Sequence, residues 1–563
     1  MTVTTFVSYF LGVWASVYLI DIALRTYPYT RNWYTEFTSN LGISFNLLQA
    51  RIFTQRLNKF FHQLCRFNSV PWNLWFSCGV VFSAISMILS ICLLTLLAYN
   101  TLMRKPIETQ VLTPVMPGIN LPTSHLGFYI LTLLVCAFIH EAGHAIAAVR
   151  ERVRLHGFGI FVFGFYPGAF VDLNTSDLQS LSPFCQLRVY CAGVWHNAVI
   201  AIISVIIFYL LPVLLSPGYH LGIGVGVTYL REDSVVTGHR GLSLGDAITR
   251  VNSCPVNKQS DWFKCLEEAY NHPSGYCVSG AYLSMMDNKV QAPRRSLSAV
   301  AAVNKLDEYD NSQSISDRDK LSDDCCTVQS ASTHLCFTYL APTKSSSTSR
   351  RYTCLPARAV TERTGCNVTA DCSSLGPVRS LGNNNGIQGD PVGMISTRSM
   401  YCVVPSPPDN STRLVRLVHN RYKAPAILFL GPLEDLVASI GVSDYVPRWP
   451  SILSPNLPSF LGLLCTYLFS LSGALVILNV VPCYALDGQW ILKAFLDMFL
   501  PGILPSRPKR NLIFTIVLVL GSCLLGLNLF LALMYLYLQA NNNYYMNVSP
   551  NPPISPVVAS INT

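Results

Sequence analysis

Six long apolar stretches alternate with polar segments along this chain of 563 residues. A helix needs about 20 predominantly apolar residues to cross a bilayer, and each stretch reaches that length. They cover residues 4–24, 74–98, 126–149, 187–215, 458–486 and 511–538. The pattern therefore predicts a polytopic α-helical membrane protein with about six transmembrane helices. The first stretch lacks the basic start and small-residue cleavage site of a signal peptide, so we expect it to remain as a span.

Residues 157–173, GFGIFVFGFYPGAFVDL, carry a different pattern between the third and fourth spans. The segment is rich in Phe, Val and Gly and too short for another span, so it predicts a strand or a hairpin. Backbone at membrane depth must be paired or covered by protein. We therefore expect a short membrane-associated β element here.

The polar segment 216–457 predicts an α/β module. The alternating run GIGVGVTYL is followed by GLSLGDAITRVNSCPV, in which Gly241-Leu242, Gly245-Asp246, Ile248 and Val251-Asn252 resemble the core signature of a PDZ domain. A strand-like run resumes only after residue 424. We interpret the cysteine-rich stretch at about 280–420 as an insertion into this PDZ-like module.

These patterns divide the chain into five predicted parts. They are N-terminal transmembrane segments with a basic loop (1–125), the first half of a membrane core (126–215), the PDZ-like module with its insertion (216–457), the second half of the core (458–540) and a polar C-terminal tail (541–563).

Composition and charge agree with a membrane protein. Only 12% of the residues are charged, against about 25% in a soluble globular chain. The net charge of +9 comes from scattered basic residues, many of them in short loops, which argues against nucleic-acid binding. Basic loops favour the cytosol, and they follow the first, third and fifth spans. The segment 216–457 is then predicted to be lumenal.

The cysteines give a second indication of the compartment. Ten of the 19 fall between Cys254 and Cys402, and an even cluster in a polar segment fits disulfides in an oxidising lumen. Zinc binding is the competing interpretation, which the absence of paired C-x-x-C knuckles disfavours. Asn367 and Asn410 lie in N-x-S/T sequons that a lumenal location would make usable.

The candidate chemistry lies at the end of the third span, where FIHEAGHAI contains the pattern H-E-x-x-H. On a helix, His140 and His144 share one face, so both imidazoles can bind one zinc ion while Glu141 acts on a water molecule. Ionisable groups are costly in hydrocarbon, which makes two simple core histidines a poor explanation.

A catalytic zinc site uses three protein ligands. The 40 residues after His144 offer Glu151, His156 and Asp172, all beyond the helix that carries the pair. The fifth apolar stretch ends in LNVVPCYALDGQW, where Asp487 follows Pro482 in an otherwise uncharged sequence. A proline can break the helix and let this carboxylate turn inward. The alternative is an Asp that caps a new helix at DGQWIL.

H-E-A-G-H in a span, N-x-x-P-x-x-x-x-D-G in a later one and a PDZ-like module between them resemble the site-2 protease family of intramembrane zinc metalloproteases. The similarity extends to GFGIF, YPGAFVDL and CAGVWHN and spans nearly the whole chain. The resemblance implies one Zn²⁺ per chain bound by His140, His144 and Asp487, with Glu141 as general base. It also implies a G-x-x-x-N element, Gly193 and Asn197, that supports the substrate or an oxyanion; an ordinary interhelical hydrogen bond is the alternative for Asn197.

The same resemblance implies partners and a location. Substrates would be single-span, membrane-anchored transcription factors, including sterol regulatory element-binding proteins and ER-stress factors, already cut lumenally by the site-1 protease. The protein would lie in Golgi or endoplasmic reticulum membranes. A tethered zinc ectopeptidase, a transporter with buried ionisable residues and a catalytically inactive scaffold are the alternatives. The ectopeptidase would carry its motif in a hydrophilic domain, the transporter would not need H-E-x-x-H, and an inactive scaffold normally loses a ligand or the base.

Overall fold

The structure is a computed structural model that describes residues 3–46, 48–66, 69–103, 122–164, 166–238, 241–291, 325–326, 333–342, 348–375, 399–407, 409, 411–421 and 424–548. The chain forms two compact units. We call Met1–Leu210 together with Leu461–Thr563 the membrane unit, and Leu211–Phe460 the second unit.

The described residues contain six helices that are long and apolar enough to cross a membrane, which confirms the predicted polytopic architecture. The candidate spans are Ser8–Thr26, Val70–Leu102, Leu126–Arg150, Ala192–Leu215, Leu457–Val480 and Arg507–Met534. They belong to helices α1 (Val3–Thr26), α4 (Ser69–Leu102), α5 (Leu126–Arg150), α8 (Ala192–Leu215), α13 (Leu457–Val480) and α15 (Arg507–Val548). Among the described residues, shorter α-helices also lie between spans of the membrane unit, including α2 (Pro28–Leu41), α3 (Arg56–Leu64), α6 (Thr175–Ser180) and α7 (Pro183–Tyr190).

Two predicted span boundaries were wrong. The stretch 187–215 begins inside α7, a separate helix that Ser182 caps and Pro183 opens, which is a common start signal. The stretch 458–486 ends early, because α13 stops at Val480, just before Pro482, and a further helix, α14, spans Asp487–Phe499. Helix α15 continues to Val548, into the polar segment predicted as the tail.

A four-stranded antiparallel sheet lies in the membrane unit, in the order β1-β2-β3-β4. Strands β3 (Leu155–Phe163) and β4 (Tyr166–Leu173) form the predicted hairpin. Strands β1 (Ile43–Asn46) and β2 (Gln49–Thr54) extend it, with β2 paired to β3. The segment expected to be a basic loop thus contains half of the sheet. β1 alternates apolar and polar residues over only four positions, too short a signal to separate it from the surrounding basic segment.

The sheet packs on the last turns of α5 through small residues. Ala145, Ala147 and Ala148 are fully buried there, and they form one apolar cluster with Phe61 and Phe158. The ring of Phe158 lies 5.9 Å from that of Phe61 and 4.9 Å from that of Phe138. Because alanine side chains are short, the strands approach the helix that carries the H-E-x-x-H pattern closely.

The second unit contains two main sheets in its described residues. One has the strand order β15-β14-β7-β6-β16 and the other β11-β10-β13-β9-β12. The strands are β5 (Tyr219–His220), β6 (Val225–Leu230), β7 (Ala247–Val251), β8 (Cys254–Pro255), β9 (Gly275–Ser279), β10 (His334–Pro342), β11 (Thr348–Pro356), β12 (Gly365–Cys366), β13 (Met400–Pro405), β14 (Thr412–His419), β15 (Ile427–Pro432), β16 (Ile440–Ser443) and β17 (Val446–Pro447). The helices are α9 (Gln259–Asn271), α10 (Gly280–Gln291), α11 (Ala357–Thr361) and α12 (Leu433–Ser439).

The second of these sheets comes from residues 275–405, which overlap most of the predicted insertion. The ten cysteines between Cys254 and Cys402 pair as Cys254–Cys265, Cys277–Cys372, Cys325–Cys336, Cys326–Cys354 and Cys366–Cys402. Asn367 is exposed, whereas Asn410 lies outside the described residues. The PDZ-like character of the first sheet and the lumenal location of both stay predictions.

The packing between sheet and helix generates a first test. Replacing Phe158 with Ala should lower the free energy of unfolding by about 3–5 kcal/mol, because a fully buried ring leaves a cavity. Phe163→Ala is the matched control, since this ring on the same strand is 54% exposed. Thermal unfolding of the purified protein measures both. Equal effects of the two variants would show that the sheet does not pack on α5 as described.

Candidate metal centre

Two histidine rings converge on one face of α5. His140 and His144 lie one helical turn apart and are both buried, with ring centroids 4.9 Å apart. Their Nε2 atoms approach to 3.2 Å. The two histidines thus lie on one helix face, as their i, i+4 spacing predicts.

Asp487 reaches this pair from the far end of the sequence. Its Oδ2 atom lies 2.9 Å from His140 Nε2 and 3.2 Å from His144 Nε2. The residue opens α14 directly after the break that follows α13, and Leu486, not Asp487, is the N-cap. The capping alternative is therefore wrong in detail: Asp487 does begin a helix, but its carboxylate faces the histidines.

The break before α14 depends on a close backbone approach. Ala485 adopts a left-handed φ of 68°, and a Cβ added to Gly488 would overlap the carbonyl of Val481. Only glycine therefore fits directly after Asp487. This tight turn lets the carboxylate enter a region otherwise lined by apolar helices.

The three donor atoms fit a single metal ion. One oxygen and two nitrogens from His140, His144 and Asp487 all lie within 4.8 Å of one another. Donors bound about 2.0–2.1 Å from a tetrahedral zinc ion are roughly 3.3 Å apart, close to the separations seen here. Among the described residues a second group, Cys277, Cys366 and Cys372, has a similar spacing. Those sulfurs are already used in disulfides.

The far side of each imidazole is held by a neighbour. His144 Nδ1 lies 2.8 Å from the carbonyl oxygen of Val189, which can only accept, so Nδ1 must carry the proton and Nε2 is left as a donor to a metal. His140 Nδ1 lies 3.1 Å from the side-chain amide of Asn197. A half-turn of this amide would let Asn197 Oδ1 accept a hydrogen bond from His140 Nδ1. Within the described chain that oxygen has no other partner.

Gly193 lies directly against both rings. An added Cβ would come within 2.6 Å of His140 Nε2 and closer still to His144 Nε2. Gly193 therefore leaves room for the two histidine rings, and Asn197 is a hydrogen-bond partner of His140. Their expected role toward a substrate or an oxyanion stays a prediction.

Glu141 points from the same helix toward the sheet. Its Oε2 accepts a hydrogen bond of 3.1 Å from the backbone N–H of Val171 on β4, the strand at the edge of the sheet. The candidate base is thus fixed between the histidines and an edge strand. The sequence carries no signal for this contact, or for the one from Val189, because both use backbone atoms.

The other candidate ligands after His144 lie elsewhere. Glu151 pairs with Arg188 at 3.1 Å, and His156 lies 3.5 Å from Asp172, with both side chains about half exposed. Asp487 is the carboxylate that the fold brings to the pair.

Candidate spans that contain an H-E-x-x-H helix, with a third donor from a later segment, are typical of a membrane-embedded metallopeptidase. A sequence model of peptidase family M50 matches residues 128–524, more than half of the chain, and the chain belongs to this family. It is also 26% identical over 491 residues to a protein of Arabidopsis thaliana named "Membrane-bound transcription factor site-2 protease homolog", covering 82% of this chain and 86% of the relative. No solved structure matches the chain.

The contact at Gly193 generates a second test. Gly193→Ala should weaken the affinity for Zn²⁺ by about tenfold or more, since the new methyl group must displace two imidazoles. Gly473→Ala on α13 is the control, because its added Cβ meets no atom within 4 Å. Competition with a chromophoric chelator measures both affinities. Wild-type affinity in Gly193→Ala would contradict the arrangement around the histidines.

Proposed function

We propose that this protein is an intramembrane zinc metalloprotease. In this proposal His140, His144 and Asp487 bind one zinc ion per chain and Glu141 is the general base. The supporting observation is that three donor atoms converge although His144 and Asp487 are 343 residues apart in the sequence (487 − 144). The two histidines lie on a helix that is apolar enough to span a membrane. Ionisable groups are costly in an apolar span, and binding one metal ion together would account for all three.

The side chains divide the chemistry between them. Zinc bound there would act as a Lewis acid, which would polarise a scissile carbonyl and lower the pKa of a water molecule to about 7. Glu141 takes the proton of the attacking water and returns it to the departing amine. Val171 holds the Glu141 carboxylate toward the site, while Val189 and Asn197 keep the two rings oriented.

Strand β4 is suited to hold an opened substrate. A transmembrane helix has all its backbone groups bonded, so it must unwind locally before a peptide bond can be attacked. β4 lies at the edge of the sheet, next to Glu141. An extended segment that pairs with this edge would keep its freed N–H and C=O groups bonded.

The substrates we propose are membrane-anchored transcription factors, cleaved within their transmembrane segment after an earlier lumenal cut. The resemblance to site-2 proteases and the name of the Arabidopsis relative support this class. Sterol regulatory element-binding proteins and ER-stress factors, trimmed first by the site-1 protease, are the specific expectation. Cleavage would release their cytosolic domains.

We further propose an endomembrane location, in Golgi or endoplasmic reticulum, with the second unit in the lumen. Its five disulfides among described residues and the exposed Asn367 are compatible with an oxidising, glycosylating compartment. The unit would be a PDZ-like module with a disulfide-rich insertion. A transporter or an inactive scaffold is less well supported, since the complete donor set and Glu141 lie together.

The role of Glu141 can be separated from metal binding. Glu141→Gln should abolish cleavage of a single-span substrate, because the Gln amide cannot take up the proton. Bound zinc should stay near one per chain, because residue 141 supplies none of the three proposed zinc donors. Zinc analysis and a cleavage assay on the same purified protein measure this.

Asp487→Asn provides the contrast. Loss of a charged oxygen donor should reduce zinc affinity and cleavage together. Retained cleavage in Glu141→Gln would show that Glu141 is not the general base. Normal zinc binding and cleavage in Asp487→Asn would mean that another residue completes the site.

A further inference from the structure

The corner between α7 and α8 supplies three contacts to the candidate metal centre. The carbonyl of Val189 accepts from His144, Gly193 lies against both rings, and Asn197 contacts His140 one turn further along. A shift of this short segment would move both imidazoles at once. Whatever fixes the corner therefore also fixes the histidines.

Arg188 is the residue that ties this corner to the neighbouring helices. Its Nη1 donates to Glu151 Oε1 at 3.1 Å, where α5 ends. Its Nε and Nη2 donate to Ser77 Oγ on α4 at 3.2 and 3.0 Å. The guanidinium also lies 4.9 Å from the ring of Phe184. Only 17% of the Arg188 side chain and 12% of the Glu151 side chain are exposed.

We propose that Arg188 is a positioning residue for the zinc site. By binding Glu151 and Ser77 it fixes the peptide unit of Val189, the next residue, and the Val189 carbonyl in turn fixes the ring plane and tautomer of His144. The inference rests on the proposed zinc function. Partners behind a metal ligand commonly contribute about 10- to 100-fold to metal affinity, and here that partner is a backbone carbonyl, which needs an anchor of its own.

Arginine suits this task better than lysine would. The planar guanidinium offers several N–H groups in a fixed geometry, so one side chain can bind the carboxylate and the hydroxyl simultaneously. A lysine could satisfy one of the two partners and would leave the corner held from one side. Arg188→Lys should therefore have an intermediate effect.

The competing explanation is that the ion pair only stabilises the fold. Breaking a buried pair is generally destabilising because one charge is left uncompensated. Zinc affinity of the folded protein and thermal stability of the zinc-free protein must therefore be measured separately. The double variant Arg188→Gln/Glu151→Gln leaves no unpaired charge, so its zinc affinity reports on the lost anchor alone.

Arg188→Gln and the double variant should both bind Zn²⁺ about 10- to 100-fold more weakly than the wild type in chelator competition. The visible absorption spectrum of the Co²⁺-loaded protein should change as well, since it reports the ligand geometry. Arg154→Gln is the matched control: it breaks the ion pair between Arg154, just before β3, and Asp177 on α6, where the arginine side chain is 71% exposed. That control should keep wild-type affinity and spectrum.

Wild-type zinc affinity in the double variant would overturn the proposal, even if its zinc-free form unfolds at a lower temperature. If Arg188→Gln does not fold, Arg188→Lys and the double variant decide between the same two outcomes. A wild-type protein that binds no zinc would instead contradict the proposed function itself, and the inference with it.

Discussion

A carboxylate and two imidazoles inside an apolar layer must satisfy one another, and much of the membrane unit follows from that constraint. His140 and His144 can meet Asp487 only because α13 ends at Val480 and a tight turn opens α14. The helix that passes behind the rings needs a glycine at position 193 to come close enough. Each departure from regular helical structure near the site thus serves to bring polar atoms together.

The sheet adds a second element that lipid alone would not permit. Its strands pack on the alanine-rich end of α5, and its edge strand donates a backbone hydrogen bond to Glu141. The chain belongs to peptidase family M50, and this arrangement agrees with a peptidase. The three candidate metal donors, Glu141 and an edge strand lie within one unit. Under the proposed function they would together hold, unwind and hydrolyse a peptide segment.

Local patterns in the sequence predicted much of this. The lengths of the apolar runs indicated six spans, the Phe- and Val-rich segment indicated a hairpin, and the i, i+4 spacing placed His140 and His144 on one face. Other features depend on contacts between distant segments. Strands β1 and β2 are only four and six residues long, and Val189 and Val171 act through backbone atoms. Arg188 lies at the start of the predicted span 187–215, where the sequence gives no sign of its contacts with Glu151 and Ser77.

The central claim is that two histidines and an aspartate bind zinc within the membrane unit. X-ray absorption at the zinc edge of the purified, zinc-loaded protein tests it most directly. We expect about four light donors near 2.0–2.1 Å, with the multiple-scattering pattern of two imidazoles and no sulfur. A sulfur shell near 2.3 Å would place the metal on cysteines instead, and a spectrum without imidazole scattering would contradict the assignment of His140 and His144.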